Sequence, residues 1–232
     1  SVSGASDLGA DVTTSGTQVY TGAVTVSGAT VNLTGSSVQF VSGVSGSGGT
    51  ENLDITGVLD LDGAATSLAT FDVTGASNLG ADVSTTGDQV YGGLVTLSGT
   101  DRTLTGGTIN LDAGLSGATT FGLTVTGALD VDATAITDLT TLSVSGASDL
   151  GADVSATGDQ VYGGLVTLSG ADRTLTGGTI NLDAGLSGAT TFGLTVTGAL
   201  DVDTTALSDL TTLSVSGVSD LGADVTTSST QV

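Results

Sequence analysis

Apolar and polar residues alternate along short segments of the chain. In one stretch, apolar side chains recur at every second position, interrupted once by Gly198-Ala199, at Phe192, Leu194, Val196, Leu200 and Val202. Polar residues such as Thr195, Asp201 and Asp203 lie between or beside them. A period of two predicts β-strands with the apolar face inward and the polar face outward. We find no sustained helical stripe of apolar residues, and Gly and Thr are poor helix formers, so helices are not expected.

Turn-forming residues interrupt every alternating segment after a few residues. Ser169 to Asp172, Thr176 to Gly178 and Ser187-Gly188 are examples. Such residues supply positive φ angles and local side-chain hydrogen bonds. The chain is therefore expected to consist of many short strands.

The sequence also repeats with a much longer period, of 71 residues, that contains many of these short segments. Gln18-Val19-Tyr20 recurs as Gln89-Val90-Tyr91 and as Gln160-Val161-Tyr162, and Gln231-Val232 opens a fourth copy. This divides the chain into a partial repeat, 1–19, and three repeats, 20–90, 91–161 and 162–232. The segment 214–232 matches the segment 1–19 except at two positions. We expect one continuous array that is a slice of a longer chain or a subunit that joins its copies end to end.

Related Ser-Gly and Thr-Gly pairs within a period suggest the length of a coil. They follow apolar segments at Ser145-Gly146, Ser169-Gly170, Thr197-Gly198 and Ser216-Gly217. If each pair marks the same point of a coil, the intervals between them predict three or four coils per period, each adding short parallel strands. The predicted fold is all-β, a parallel β-solenoid. The alternative is an array of small β-sandwich domains, which would need interdomain linkers and a larger aromatic centre.

Composition excludes several classes of function. The chain has 38 Gly, 24 acidic residues, two Arg and no Cys, His, Lys, Pro, Met or Trp, for a net charge of −22. Nucleophilic thiols, imidazole ligands and Schiff-base lysines are therefore absent, and an enzyme is not expected. Nucleic acid is not an expected partner, because phosphate binding depends on Lys and Arg. No apolar run reaches the roughly 20 residues that a membrane helix needs, so no membrane insertion is expected.

One recurrent block resembles a known group of proteins. The segment from Thr14 to Val26, and more closely Gly87 to Leu97 (GDQVYGGLVTL) and Gly158 to Leu168, follow the pattern G-x-Q-x-Y-x-G-x-V-T-L. This block resembles repeats of filamentous-haemagglutinin-like and autotransporter-like bacterial surface proteins. The resemblance implies a long right-handed parallel β-helix exported to the cell surface, where such proteins act as adhesins, matrix components or fibres.

Three pairs of carboxylates are candidates for binding a hard cation. Each pair has the spacing i, i+2, which places both side chains on one face of a strand, and calcium takes such oxygen ligands. The pairs are Asp60 and Asp62, Asp130 and Asp132, and Asp201 and Asp203. They are candidates for weak calcium sites, and no other cofactor is expected. The alternative is that the outward aspartates keep the β-rich surface soluble and, by charge repulsion, prevent sideways aggregation with other sheets.

Other repeated residues allow a structural interpretation. Arg102 and Arg173 each follow an aspartate, which predicts a local charge pair at a turn. The three tyrosines, one per period, are expected to fill the core. Thr-x-Thr segments such as Thr195-Val196-Thr197 are typical of flat ice-binding faces, but along the sequence they occur singly among Asp-bearing strands and predict no such face.

The sequence therefore favours a structural protein of a secreted bacterial surface filament, fibre or extracellular biofilm matrix, with the solenoid as an extended stalk. The alternative function is an adhesin or a calcium-dependent surface-layer component using the acidic face. The expected partners are the protein itself, end-on or within one long chain, and the cell surface or matrix. The expected location is extracellular, at the bacterial cell surface.

Overall fold

The computed structural model describes residues 1–232 as a single parallel β-solenoid. It has 27 strands and no helix, and every strand pairing is parallel. The predicted solenoid is confirmed, and the alternative of separate sandwich domains is wrong because sandwiches are built from antiparallel sheets. The strands are β1 Ser6–Leu8, β2 Val12–Thr13, β3 Thr17–Tyr20, β4 Val24–Val26, β5 Thr30–Phe40, β6 Val44–Gly46, β7 Asn52–Leu61, β8 Ala65–Leu68, β9 Thr70–Val73, β10 Ser77–Leu79, β11 Val83–Thr85, β12 Gln89–Tyr91, β13 Val95–Leu97, β14 Arg102–Leu111, β15 Leu115–Val131, β16 Ile136–Val144, β17 Ser148–Leu150, β18 Val154–Ala156, β19 Gln160–Tyr162, β20 Val166–Leu168, β21 Arg173–Leu182, β22 Leu186–Ser187, β23 Leu194–Val202, β24 Leu207–Leu210, β25 Leu213–Val215, β26 Ser219–Leu221 and β27 Val225–Thr227.

Backbone pairing arranges these strands in three ladders that run along the solenoid axis. Ladder 1 passes through Tyr20, Phe40, Leu61, Leu79 and Leu97. Ladder 2 passes through Val24, Val44, Ala65, Val83, Leu104 and Val125. Ladder 3 passes through Val12, Leu33, Ile55, Val73 and Tyr91. The chain visits ladders 1, 2 and 3 in that order in every coil, and the long strands β5, β7, β14, β15, β16, β21 and β23 bend from one ladder to the next.

One coil is shorter and more regular than the sequence indicated. Away from the register shifts, residues paired across successive coils are between 18 residues apart, as at Asp60 and Asn78, and 22 residues apart, as at Thr30 and Asn52. The longer predicted intervals, from Gly146 to Gly170 and from Gly170 to Gly198, are wrong because these glycines mark three different corners of the coil. The last interval is correct, since Gly217 stacks directly on Gly198.

The 71-residue period of the sequence is not a whole number of coils. From Val24, three coils along ladder 2 lead through Val44 and Ala65 to Val83. Val95, the counterpart of Val24 in the next repeat, lies on ladder 1, two ladders past Val83 along the chain. One period is therefore three and two-thirds coils. Each repeat places its residues one ladder away from the repeat before, and only a displacement of three repeats returns them to the same ladder.

The tyrosines show this rotation directly. Tyr20 lies on ladder 1, Tyr91 on ladder 3 and Tyr162 on ladder 2. All three are buried, as predicted. They belong to one continuous core of 51 buried apolar residues that runs the length of the solenoid.

The predicted orientation of the alternating segment near the end of the chain is confirmed. The inward residues Leu194, Val196, Leu200 and Val202 are buried, and Phe192 packs against the core from a partly buried position. The outward residues Thr195 and Asp203 are exposed, whereas Asp201 is partly exposed.

Each tyrosine is fixed by the glutamine two positions before it on the same inward face. Tyr91 Oη donates a hydrogen bond to Gln89 Oε1 at 2.9 Å, and Gln89 Nε2 donates to Thr105 O in the next coil at 2.8 Å. The same contacts recur at Gln18 with Tyr20 and at Gln160 with Tyr162. A buried amide and hydroxyl satisfied in this way tie neighbouring coils together inside an apolar core. This explains the recurrent Gln-x-Tyr motif.

Glycines allow the coils to turn their corners at close spacing. Gly57 has φ +137°, and a Cβ there would lie 2.1 Å from Gly35 O in the coil before. Gly127 has φ +139°, and its Cβ would meet Gly106 O at the same distance. These corners accept no side chain, because both the backbone angle and the neighbouring coil exclude one.

Candidate functional site: the acidic rows

The predicted carboxylate pairs lie on the outer face, and each belongs to a row of polar side chains that crosses successive coils. The first row lies on ladder 1, the second on ladder 3 and the third on ladder 2. Their members are Gln39, Asp60, Asn78 and the flanking Asp62 in the first row; Asn110, Asp130, Asp149 and the flanking Asp112 and Asp132 in the second; and Asn181, Asp201, Asp220 and the flanking Asp183 and Asp203 in the third.

Amide donors bridge the carboxylates of the first row. Gln39 Nε2 donates to Asp60 Oδ2 at 3.0 Å and to Asp62 Oδ2 at 2.9 Å. Asn78 Nδ2 donates to Asp60 Oδ1 at 3.0 Å. Both carboxylates therefore have hydrogen-bond donors from neighbouring coils, and the pair is bridged by a side chain of the protein itself.

The second row contains more carboxylates and no bridging amide. The shorter Asn110 replaces Gln39, and its Oδ1 atom is buried without a hydrogen-bond partner. Burial, followed by the charges of Asp132, Asp149 and Asp112, raises the pKa of Asp130. Burial and then Asp132 also raise the pKa of Asp112. The carboxylates of this row therefore repel one another in their ionised form.

The third row repeats the second on another face. Asn181 Oδ1 is again buried without a partner. Burial raises the pKa of Asp183, and the nearby Asp203 and Asp201 raise it further. The two rows therefore share the same excess of carboxylates over donors.

The second row also borders an open groove. The groove has a volume of about 660 Å³, and its lining includes Asp130, Asp132, Asp149 and Arg173. Three aspartates of the second row therefore lie beside a space that solvent can enter.

The three acidic rows differ in how well they suit a calcium ion. Calcium takes six to eight oxygen ligands, and carboxylate and amide oxygens are suitable. In the first row the Gln39 amide already occupies Asp60 and Asp62, so a cation would have to displace it. The second and third rows have free carboxylates and a free amide oxygen, which fit a hard cation better. No group of three or more acidic side chains has the arrangement of a metal centre. Calcium binding therefore stays a prediction, carried by the second and third rows.

Other aspartates act within the fold, a role that the sequence analysis missed. Asp82 Oδ1 accepts a hydrogen bond from Thr103 N at 3.0 Å, and Asp153 Oδ1 accepts one from Thr174 N at 2.8 Å. They satisfy backbone donors of the next coil near its corners. Similar bonds to backbone N–H groups one coil later are made by Asp11, Asp88, Asp101, Asp159 and Asp172. The recurrence of these aspartates at equivalent positions of successive repeats could have indicated this structural role from the sequence.

The predicted charge pairs of the two arginines with the preceding aspartates are wrong. Arg102 is largely buried, and its Nε donates to Leu79 O and Ser98 O at 3.2 and 3.1 Å. Its nearest carboxylate is Asp82, with Nη1 and Oδ1 3.9 Å apart, whereas Asp101 instead binds Gly122 N. The equivalent bonds of Arg173 are to Leu150 O and Ser169 O. The guanidinium groups therefore cap backbone carbonyls of two coils.

Glu51 is a feature of the first repeat alone. Its carboxylate accepts hydrogen bonds from Gly48 N at 3.0 Å, Ser47 Oγ at 2.8 Å and Thr50 N at 3.1 Å. These bonds, that of Gly48 first, lower the pKa of Glu51 to about 2. The carboxylate closes the loop between β6 and β7, so its role is structural.

Comparison of the chain with protein-family models, curated proteins and solved structures finds no match. The chain has no helix that is long and apolar enough to cross a membrane.

Proposed function

We propose that the chain forms the extended stalk of a secreted bacterial surface filament, fibre or extracellular matrix. The observation that supports this proposal is the uninterrupted core and strand pairing through about eleven coils. At a strand spacing of about 4.8 Å, eleven coils make a rod roughly 53 Å long. Each further repeat would add about 18 Å, so extension follows from repetition alone.

The resemblance of the Gln-x-Tyr blocks to filamentous-haemagglutinin-like and autotransporter-like repeats supports the same proposal. The expected partners are the protein itself, end-on or as one continuous chain, together with the cell surface or matrix. We expect an extracellular location and no catalytic role.

An adhesin or calcium-dependent surface-layer component is the second candidate. The observation in its favour is the set of unbridged carboxylates in the second and third rows. Their mutual repulsion would be relieved by a divalent cation shared with a neighbouring molecule.

Electron microscopy of native material tests both candidates. Uniform fibres that persist in a calcium chelator support the stalk. A planar lattice that dissolves in chelator and reforms with calcium supports the surface-layer function. Globular particles, with neither fibres nor a lattice, would contradict both.

A further inference from the structure

Threonine and serine side chains that are scattered in the sequence form two compact arrays on the surface. Thr103 pairs with Thr124 and Thr105 with Thr126 in the next coil, and Thr124 pairs with Ser143 in the coil after that. We call these five residues of ladder 2 the first threonine array. The second array, on ladder 1, consists of Thr174, Thr176, Thr195, Thr197 and Ser214. Stacking of successive coils therefore brings together segments that are separated along the sequence.

The arrays have the regular spacing of the β-sheet itself. Successive coils are about 4.8 Å apart, and side chains at i and i+2 on one strand are about 6.8 Å apart. Stacked hydroxyls can bond directly across coils, as Ser37 Oγ donates to Thr17 Oγ1 at 3.1 Å. The hydroxyls of the two arrays form no such bonds with one another, so their hydrogen-bonding capacity is not used within the array. Thr124, Thr126 and Ser143 are exposed, so their hydroxyls are available to bind water molecules on a fixed two-dimensional grid.

The arrays contain no charged side chain on a protein of net charge −22. Two carboxylates border the first array. Asp82 Oδ1, one coil before, accepts a hydrogen bond from Thr103 N, and Asp101 Oδ1, two residues before Thr103, accepts one from Gly122 N, so both are already bound to backbone donors. Threonine combines a hydroxyl with a methyl group, so the grid can hold ordered water without the strong hydration shell of a carboxylate. It also lacks the aromatic platforms and charges that would bind sugars, nucleotides or ions.

We propose that the two threonine arrays bind ordered water and, through it, the surface of ice. This is a binding activity beyond the stalk function, and it does not depend on that function. Because the arrays lie on different ladders, one ice plane contacts one array at a time. The expected activity is therefore adsorption by single arrays.

The first repeat provides a natural control within the chain. At the positions of Thr103, Thr124 and Ser143 it has Asn32, Asp54 and Asp72, stacked in the same way on ladder 3. Burial raises the pKa of Asp54 and Asp72, and the charges of nearby aspartates raise it further. Aspartate is therefore compatible with the backbone at this position but would disrupt an uncharged water grid.

Ice-affinity partitioning tests the proposal. The chain has no lysine, so a fluorophore attached to its N-terminal amine labels one site. We expect the labelled chain to enter slowly grown polycrystalline ice, and T124D/T195D to fall to the level of a non-binding acidic protein. T134D/T205D makes the same charge change at equivalent exposed loop positions and should keep the full level. The proposal is overturned if the unaltered chain is rejected from ice, if T124D/T195D keeps its level, or if both variants lose it equally.

A second variant guards against loss of structure. T126V/T197V removes one hydroxyl from each array while keeping the β-branched shape and the charge. With far-UV circular dichroism unchanged, we expect reduced incorporation into ice. Unchanged incorporation would contradict a role for the hydroxyl grid.

Discussion

The first and second acidic rows occupy equivalent positions in two repeats but differ in how surface charge is accommodated. In the first row, Gln39 bridges Asp60 and Asp62. In the second row, Asn110 is one methylene shorter and forms no such bridge, and Asp130 remains among three other carboxylates. The backbone ladders and core are the same in both. This shows that the coil is specified by its inward residues and corners, while the outer rows are free to diverge.

The largest expected loss of stability is at the glycine corners that both regions share. Gly57→Ala and Gly127→Ala should each destabilise the protein by about 3 kcal/mol or more, because the new Cβ would meet a backbone carbonyl at a strained φ. Unfolding in urea, followed by circular dichroism, measures the effect. Gly4→Ala is the control, since no atom lies within 4 Å of its Cβ position. Unequal losses at Gly57 and Gly127 would contradict a common framework.

Exchanging the two amides should reverse the difference between the rows. Gln39→Asn removes the bridge to Asp60 and Asp62, and we expect a loss of about 1 kcal/mol. Asn110→Gln supplies a bridge to Asp130 and Asp132, and we expect a gain of similar size. The double variant should return close to the original stability in the same urea experiment. A loss in both single variants would show that the side-chain length at this position is set by packing instead.

Glu51 separates the first repeat from the second by its pH dependence, because the corresponding loop of the second repeat, residues 116–122, contains no acidic residue. Its pKa is lowered from 4.5 to about 2 on folding, so its contribution to stability is complete above pH 4.5 and is lost as the pH falls to about 2. Wild type and Glu51→Gln should therefore differ most near neutral pH and converge in strong acid. Thermal unfolding at a series of pH values measures this, and a constant difference across the series would disprove it.

The smallest expected effect is at Asp130. Its raised pKa means that the folded state holds a proton more tightly than the unfolded state, so stability should rise as the pH falls from neutral toward the ordinary aspartate range near 4. Asp130→Asn should stabilise the protein at neutral pH by less than about 1 kcal/mol and weaken this pH dependence. Asp60→Asn should destabilise the protein, because it replaces one of the two oxygens that accept bonds from Gln39 and Asn78 with an amide donor. The same sign in both variants would refute the distinction between the rows.

Local chemistry made much of the fold predictable from the sequence. Alternation determined which side chains point inward, as Leu194, Val196 and Asp203 show, because a strand has a period of two. The coil length could not be found in the same way. Ser169-Gly170 and Thr197-Gly198 look alike but lie at different corners, since all three corners demand small residues.

The candidate site was only partly predictable. The positions of Asp130 and Asp132 on the outer face followed from their spacing. Their neighbours did not, because Asp149 and Asn110 come from adjacent coils and the register between coils was unknown. The role of Arg102 was missed for the same reason, since its carbonyl partner Leu79 lies a whole coil earlier in the sequence.

The fraction of a coil left over by each repeat has a consequence for how such an array can vary. A repeat contains three and two-thirds coils, so inserting or deleting one changes the length and also turns everything beyond it by a third of a revolution. The three ladders accept the same strands, as the positions of Tyr20, Tyr91 and Tyr162 show, so the backbone survives the change. Unequal recombination between the nearly identical second and third repeats would thus rotate every surface beyond that point about the solenoid axis, while the residues of those surfaces stay the same.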